Sequence, residues 1–301
     1  MALAVVFAVA SAFANAVMVV TQHLASVTAP RQEKGLRLVR YLVRQPIWLL
    51  GWVGAVGAFV FQAVALHFGL LTVVQPLLIT ELVFVLVLRR LWIGQDVAGA
   101  AWAAAVMTCA ALAVFLSLAE PTGGTASPST GDWLSALIAF CAVIVVLAAL
   151  GVRGSPVQRA AVFGAAASLT WALMATFVKT ATEILAASGF VGMIENWSPY
   201  ALIAAAIIGT LLEQTALHVG PLSISEPLLV VVNPLASIGL GVWVFDEQFT
   251  ANPAQIAVAF SAFGVMTAGV VWLSRAAPKN IAPARTADGH GPRPASPQRR
   301  S

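Results

Sequence analysis

The segment Ala65-Leu66-His67-Phe68-Gly69 returns 151 residues later as Ala216-Leu217-His218-Val219-Gly220. The same offset relates further pairs of residues: Gln62 with Glu213, Trp92 with Trp243, and Gln75-Pro76-Leu77-Leu78 with Glu226-Pro227-Leu228-Leu229. Chance matches Ala and Leu positions readily, but it rarely also places His, Gly, Pro and Trp at one common spacing. The chain therefore contains a duplicated unit, and both copies lie in long apolar segments.

The composition determines the environment of that unit. Hydrophobic residues make up 60% of the 301 residues, charged residues only 9%, and the mean hydropathy is +0.91. Soluble domains carry about 25% charged residues, so this chain cannot cover a water-facing surface. Cys109 and Cys141 lie in apolar segments without a spacing pattern, which is typical of core residues rather than of a disulfide or metal pair. We expect a multi-pass protein of the cell (plasma or inner) membrane.

Helix-length apolar segments divide the chain. A membrane-spanning helix needs about 20 mainly apolar residues. Nine segments meet that requirement: 2–22, 46–66, 70–89, 97–118, 133–151, 159–180, 199–218, 222–244 and 254–274. The sequence therefore predicts an all-α membrane protein in four parts. These are a first repeat (1–118), a linker and connecting helix (119–158), a second repeat (159–274) and a disordered basic cytoplasmic tail (275–301).

The charges predict how the helices are oriented. Basic residues cluster in four places: Arg31, Lys34, Arg37, Arg40 and Arg44; Arg89 and Arg90; Arg153 and Arg159; Arg275 and Lys279. All four clusters fall on one side of nine spans, which predicts an outside N-terminus and an inside C-terminus. The other side is acidic, with Lys179 expected near the end of the sixth helix. A single connecting helix between four-helix copies makes the second repeat inverted.

Three carboxyl groups lie within predicted spans, where an ionised side chain costs several kcal/mol and usually marks a functional residue. They are Glu81, Glu213 and Glu226, and no Lys or Arg is expected deep enough to neutralise them. Either a cation binds there, or the groups are protonated and hydrogen-bonded to backbone or polar neighbours. We consider all three candidate metal ligands. The expected ion or substrate pathway adds Gln62, Gln75 and Asn15.

Prolines recur beside these residues. Pro76 and Pro227 occupy equivalent positions in the two copies, and Pro234 follows further along the eighth helix. Each proline removes a backbone donor and frees a carbonyl, which can line a site or permit a hinge. A simple kink is the alternative.

The sequence lacks the motifs of the common enzymes and pumps. It contains no phosphate-binding GKS/T loop, GxSxG elbow, HExxH motif or Cys/His cluster. We therefore expect neither an enzyme nor a cofactor. The net charge of +4 comes from loops and tail, so it indicates orientation rather than nucleic-acid binding.

The repeated hairpin resembles the drug/metabolite transporter superfamily. The residues that carry the resemblance are residues 65–69 leading into Val73-Val74-Gln75-Pro76-Leu77, their second copy, and Pro234-Leu235-Ala236-Ser237 followed by Phe245-Asp246-Glu247. Within the superfamily the chain looks most like the NIPA-type branch of nine-helix proteins linked to magnesium transport, a likeness that Gly51, Gly57, Gln62 and Lys179 also suit. The resemblance covers residues 1–275.

The resemblance also has departures. The superfamily commonly has ten helices and an inside N-terminus, whereas the charges here favour nine helices and an outside N-terminus. The first copy ends in Arg90-Leu91-Trp92-Ile93-Gly94-Gln95-Asp96, where a Glu-Arg type of ending is typical.

These observations favour a secondary transporter that moves a small solute by alternating access, with a divalent cation such as magnesium as one candidate. The first alternative is a proton-coupled exporter of small metabolites or drugs. The second is a non-transporting scaffold or accessory subunit. An intramembrane enzyme would need a pair such as Glu213 and His218, one helix turn apart at a helix end. The expected partners are the substrate and the lipid bilayer, and homodimer formation stays open.

Overall fold

The computed structural model describes residues 1–28, 44–125, 128–220 and 222–276. Within these residues, nine helices are long and apolar enough to cross a membrane. They are α1 Ala2–Thr28, α2 Pro46–Phe68, α3 Leu71–Trp92, α4 Gly99–Ala119, α5 Thr130–Leu150, α6 Pro156–Glu195, α7 Ser198–Val219, α8 Leu222–Phe245 and α9 Pro253–Ala276. Two short strands, β1 (Pro121–Gly123) and β2 (Glu247–Phe249), pair in antiparallel fashion.

The prediction of an all-α membrane protein is confirmed, and most predicted segments match these helices. The sixth predicted segment, 159–180, lies within α6, and only its predicted end was wrong. Lys179 had suggested a helix end, but its charge is neutralised inside the protein and α6 continues to Glu195. At Gly189, whose φ of 68° is a conformation that favours glycine, a kink divides α6 into two helical parts. The predicted tail lies outside the described residues from residue 277 onward.

Local sequence signals explain where several helices begin. Ser155 Oγ accepts a hydrogen bond from the Gln158 backbone N–H, and the Gln158 side-chain oxygen accepts one from the Ser155 backbone N–H, which forms a capping box. Ser129 caps α5 through the N–H of Asp132. Helices α2, α6 and α7 carry proline in their first turn, where the missing N–H needs no partner.

The two halves of the chain use the same helix contacts. Helix α1 packs on α2 and α3, and α6 packs on α7 and α8. A methyl group added to Gly69 would overlap Ala4, and one added to Gly220 would overlap Ala160. Gly69 and Gly220 are 151 residues apart, and Ala4 and Ala160 are 156 apart, so the equivalent glycines allow equivalent close contacts.

Contacts between the halves complete the bundle. Helix α4 packs along α9, and the first part of α3 packs against α8. The largest side chains of the shared core are fully buried, among them Phe115 of α4, Phe245 of α8 and Met266 of α9. Helices α3 and α8 therefore join the two halves of the chain, and α3 carries Gln75 and Glu81 among the predicted functional residues.

Candidate functional site

A break in α3 places the first intramembrane carboxyl group. Pro76 lacks a backbone N–H, and the α-helix Leu71–Leu77 changes directly after it into a 3₁₀ turn, Leu78–Thr80. A second α-helical part then runs from Glu81 to Trp92. Glu81 thus directly follows the 3₁₀ turn in the middle of a span, where the helical hydrogen-bond pattern changes.

Helix α1 supplies the contact of Glu81. The Asn15 side chain donates a hydrogen bond from Nδ2 to Glu81 Oε2 at 2.6 Å. Asn15 and Glu81 were both predicted to line the pathway, and the structure brings them together.

Glu213 receives its hydrogen bond from a residue that the sequence analysis did not select. Trp171 of α6 donates from Nε1 to Glu213 Oε2 at 3.0 Å. The indole lies over Gly209, where an added Cβ would be 3.3 Å from the ring. Gly209 is one helical turn before Glu213 on the same face of α7, so the small residue gives the ring room to reach the carboxyl group. Trp171 corresponds to Asn15 at the offset of 156, which is the signal that could have identified it.

Glu81 and Glu213 belong to the two halves of the chain. They lie within the range of an electrostatic interaction. Neither group forms an ion pair with any Lys, Arg or His in the described part of the chain. The site therefore consists of two carboxyl groups, each with one neutral hydrogen-bond donor, and we refer to Glu81 and Glu213 as the carboxyl pair.

The other predicted pathway residues are placed as follows. Gln75 is buried in α3, and within the described residues its Nε2 atom has no hydrogen-bond partner. Gln62 is half-buried in α2. Pro227 and Pro234 lie inside α8, which stays helical through both. The side chain of Glu226 lies outside the description. Among the described residues, no three His, Cys, Asp or Glu side chains lie close enough together to hold a metal ion.

A second acidic centre lies where α3 begins. Glu247, which is fully buried, accepts hydrogen bonds from the backbone N–H groups of Leu71 at 2.7 Å and Thr72 at 2.8 Å. Lys179 pairs with the same carboxylate at 2.6 Å, and its ammonium group lies 4.5 Å from the centre of the Phe245 ring. The expectation that Lys179 lies near a helix end was therefore wrong. We refer to Lys179 and Glu247 as the capped pair.

The loop after α8 holds Glu247 in this position. Strand β2 begins at Glu247 and pairs with β1, the segment after α4. Thr250 adds a hydrogen bond to the Glu120 carbonyl at 3.0 Å. Gly241 gives the carboxylate its space, because an added Cβ would lie 2.5 Å from Glu247 Oε2. The capped pair is thus fixed by α3, α6, α8 and the short sheet.

Comparison with known proteins identifies a relative over almost the whole chain. An uncharacterized protein of Corynebacterium glutamicum is 30% identical over 275 residues, which are 91% of this chain and 95% of the relative. No protein-family model matches the sequence. No solved structure matches it either.

Proposed function

The chain belongs to the same family as this Corynebacterium glutamicum protein, and we propose that it is a secondary transporter of the cell membrane. The carboxyl pair is its cation site, and the cation is either the cargo or the ion that drives the cargo. The single observation that carries this proposal is that Glu81 and Glu213, from opposite halves of the chain and within electrostatic range of each other, have neutral hydrogen-bond donors and no basic partner among the described residues.

The energetics of the pair support a cation. Two carboxylates in an apolar span repel each other and have lost much of their hydration, so both cannot stay charged without compensation. Asn15 and Trp171 donate hydrogen bonds but bring no positive charge. A bound cation, or protons on the carboxyl groups, supplies the missing compensation.

The chemistry of the donor set suits a hard cation. Carboxylate oxygens are ligands that Mg²⁺ prefers, and Mg²⁺ usually keeps several water molecules beside one or two carboxylates. Asn15 donates through its nitrogen, which leaves its amide oxygen as a further acceptor. Magnesium is therefore the first cargo to test, in agreement with the resemblance to the NIPA-type branch. Proton coupling is the second, because two carboxyl groups suffice to carry protons.

The duplicated architecture supports transport by alternating access. In transporters built from inverted repeats, the site lies between the copies, near the middle of the membrane. Glu81 belongs to the first copy, Glu213 to the second, and Glu81 stands at the break in the middle of α3. Movement of one copy relative to the other would expose the pair alternately to the two sides.

Uptake into proteoliposomes tests the proposal. Purified wild type, Glu81→Gln and Glu213→Gln are compared with an interior magnesium indicator and, in parallel, an interior pH-sensitive dye. Glu195→Gln is the matched control, because Glu195 is exposed at the end of α6 and far along the chain from the pair. Glu226→Gln extends the test to the remaining candidate carboxyl group.

The outcomes separate the functions that the sequence leaves open. Magnesium flux that disappears in Glu81→Gln and Glu213→Gln but persists in Glu195→Gln supports a magnesium transporter. Proton movement only when small metabolites are added supports the proton-coupled exporter. If no flux of either kind occurs and all variants behave as wild type, the transporter proposal is wrong and a scaffold or accessory role is favoured.

A further inference from the structure

The capped pair shows how α3 and α8 are oriented. Glu247 follows the end of α8 and bonds to the first residues of α3, so the end of one helix meets the start of the other. The two helices therefore run antiparallel. Asp96, which follows the end of α3, then lies on the face where α8 begins. With about 1.5 Å per residue, the length of α3 separates this Asp96 face from the Glu247 face by roughly 30 Å.

The repeat makes Asp96 the counterpart of Glu247. At the offset of 151, Leu71 and Thr72 correspond to Leu222 and Ser223, the first residues of α8, and Asp96 corresponds to Glu247. Both acidic residues follow an equivalent tryptophan, Trp92 or Trp243, by four positions. At the offset of 156, Lys179 corresponds to His23, which is also basic. Each half thus carries an acidic residue after one helix that can cap the first residues of a helix in the other half.

The two counterparts differ in their surroundings. Glu247 is fully buried, whereas the Asp96 side chain is 95% exposed and forms an ion pair with Arg90 at the end of its own helix. An exposed ion pair of this kind contributes little free energy, so Asp96 can leave Arg90 readily. The first residues of a helix, by contrast, present N–H groups that a carboxylate stabilises.

We propose that the capped pair is a closed gate on the Glu247 face and that Asp96 forms the matching gate on the opposite face. When the Glu247 gate opens, Asp96 leaves Arg90 and caps the first residues of α8. The two gates close alternately, which gives the carboxyl pair access to one side at a time. What passes the gates rests on the proposed function, but the alternation of the gates does not.

Pulsed electron paramagnetic resonance measures both gates without any substrate. Cys109 and Cys141, which form no disulfide, are replaced by serine. One spin-label pair, Phe68→Cys with Gln248→Cys, reports the Glu247 face. A second pair, Leu91→Cys with His218→Cys, reports the Asp96 face, and all four positions are exposed. Each pair is measured in protein reconstituted into lipid nanodiscs.

The expected result is a coupled change at the two faces. Glu247→Gln leaves Lys179 without its counter-charge, so the Glu247 face should widen and the Asp96 face should narrow. The ratio of the two conformers should change at least about tenfold. Adding Asp96→Asn should cancel the narrowing. Asp246→Asn is the control, because it removes an exposed charge one residue away.

A second variant keeps the proposal testable if Glu247→Gln fails to fold. Arg90→Gln alters only exposed side chains and frees Asp96, so it should shift the conformers in the same direction as Glu247→Gln, by up to about fivefold because the exposed pair contributes little free energy. If Arg90→Gln shifts the conformers in the opposite direction, or if the Glu247 face widens in Glu247→Gln while the Asp96 face stays unchanged, the gate proposal is overturned. If the conformers alternate but neither magnesium nor proton flux is measured, the proposed transport function is wrong and the gate proposal is supported.

Discussion

The capped pair and the carboxyl pair both place carboxyl groups within the helical core. In the capped pair a lysine neutralises the carboxylate, whereas the carboxyl pair has neutral hydrogen-bond donors. Glu247 accepts three hydrogen bonds, two from backbone N–H groups and one from the Lys179 ammonium group. Glu81 and Glu213 accept one side-chain hydrogen bond each, from Asn15 and Trp171, both neutral. Among the described residues, a positive charge compensates Glu247, whereas Glu81 and Glu213 have only neutral donors.

Whether a buried carboxylate has an internal positive partner indicates its role better than its presence in the sequence does. Removing a carboxylate from water costs several kcal/mol, which an internal cation and well-placed N–H groups can offset. A group that lacks such compensation needs protonation or a bound cation. Glu247 therefore joins the end of α8 to the start of α3 in this structure, whereas the carboxyl pair is where we propose that a cation or protons bind.

The largest effect is expected at Glu247, whose negative charge is fully compensated by Lys179 and two backbone N–H groups. Glu247→Gln leaves the buried Lys179 charge unpaired, a loss of about 3–5 kcal/mol for a pair of this kind. Since each 1.4 kcal/mol is about a factor of ten, the amide hydrogens of Leu71 and Thr72 should exchange at least about 100-fold faster. Hydrogen exchange with mass spectrometry of peptides that start at residue 70 provides the measurement.

Asp246→Asn is the matched control for this exchange measurement. It removes one negative charge next to Glu247, and asparagine tolerates the left-handed backbone at this position, where φ is 53°. Equal exchange rates in the two variants would show that Glu247 does not stabilise the start of α3.

The second prediction concerns the carboxyl pair. If Glu81 and Glu213 hold one cation together, either Gln substitution should lower the affinity for that cation at least about tenfold. The double variant should bind little more weakly than the weaker single variant, because the two groups share one ligand. Isothermal titration with the cation that the liposome assay identifies gives the three affinities.

Two independent sites would behave differently in the same titration. The losses of free energy would then add, and each single variant would keep one site of nearly normal affinity. Either of these results would contradict a shared site. Glu195→Gln should bind as wild type does.

Much of the fold could be predicted from the sequence, because membrane helices are recognised by the length and hydrophobicity of their segments. The repeat at offset 151 also located Glu213 and Gln62 in equivalent places. The sixth helix was the exception. Lys179 and Glu183 look like the polar end of a span, and only the position of Glu247, 68 residues further on, shows why a lysine is tolerated inside α6.

The arrangement of the site was less predictable. A repeat indicates which residues are equivalent, but it does not say which residues of one copy touch the other. The cap of Glu247 on α3 is a contact between the copies, and Glu81 lies within electrostatic range of Glu213 in the other copy. Trp171 was missed for another reason, since it replaces Asn15 at the equivalent position by a side chain of different shape and similar donor chemistry.

The third prediction weakens the capped pair without changing its charge. Gly241→Ala places a methyl group against Glu247 Oε2 and the Thr72 side chain, so the carboxylate must move. Overpacking of this kind costs about 1–3 kcal/mol, and the exchange of the Leu71 and Thr72 amides should rise about tenfold. Gly239→Ala is the control, because no atom lies within 4 Å of its added Cβ. Identical exchange in both variants would mean that Glu247 is held less tightly than its contacts indicate.

The smallest effect is expected from the hydrogen bond to Glu213. Trp171→Phe keeps most of the aromatic contact with Gly209 and removes the N–H donor. A single hydrogen bond contributes about 1 kcal/mol, so the cation affinity should change roughly fivefold, while the fold is retained. Trp52→Phe on the exposed face of α2 should leave the affinity unchanged. The sign of the change sharpens the comparison. A donor that stabilises an ionised carboxylate favours cation binding, so weaker binding in Trp171→Phe indicates that Glu213 is ionised when the cation is bound. Tighter binding indicates that the indole competes with the cation for the same oxygen.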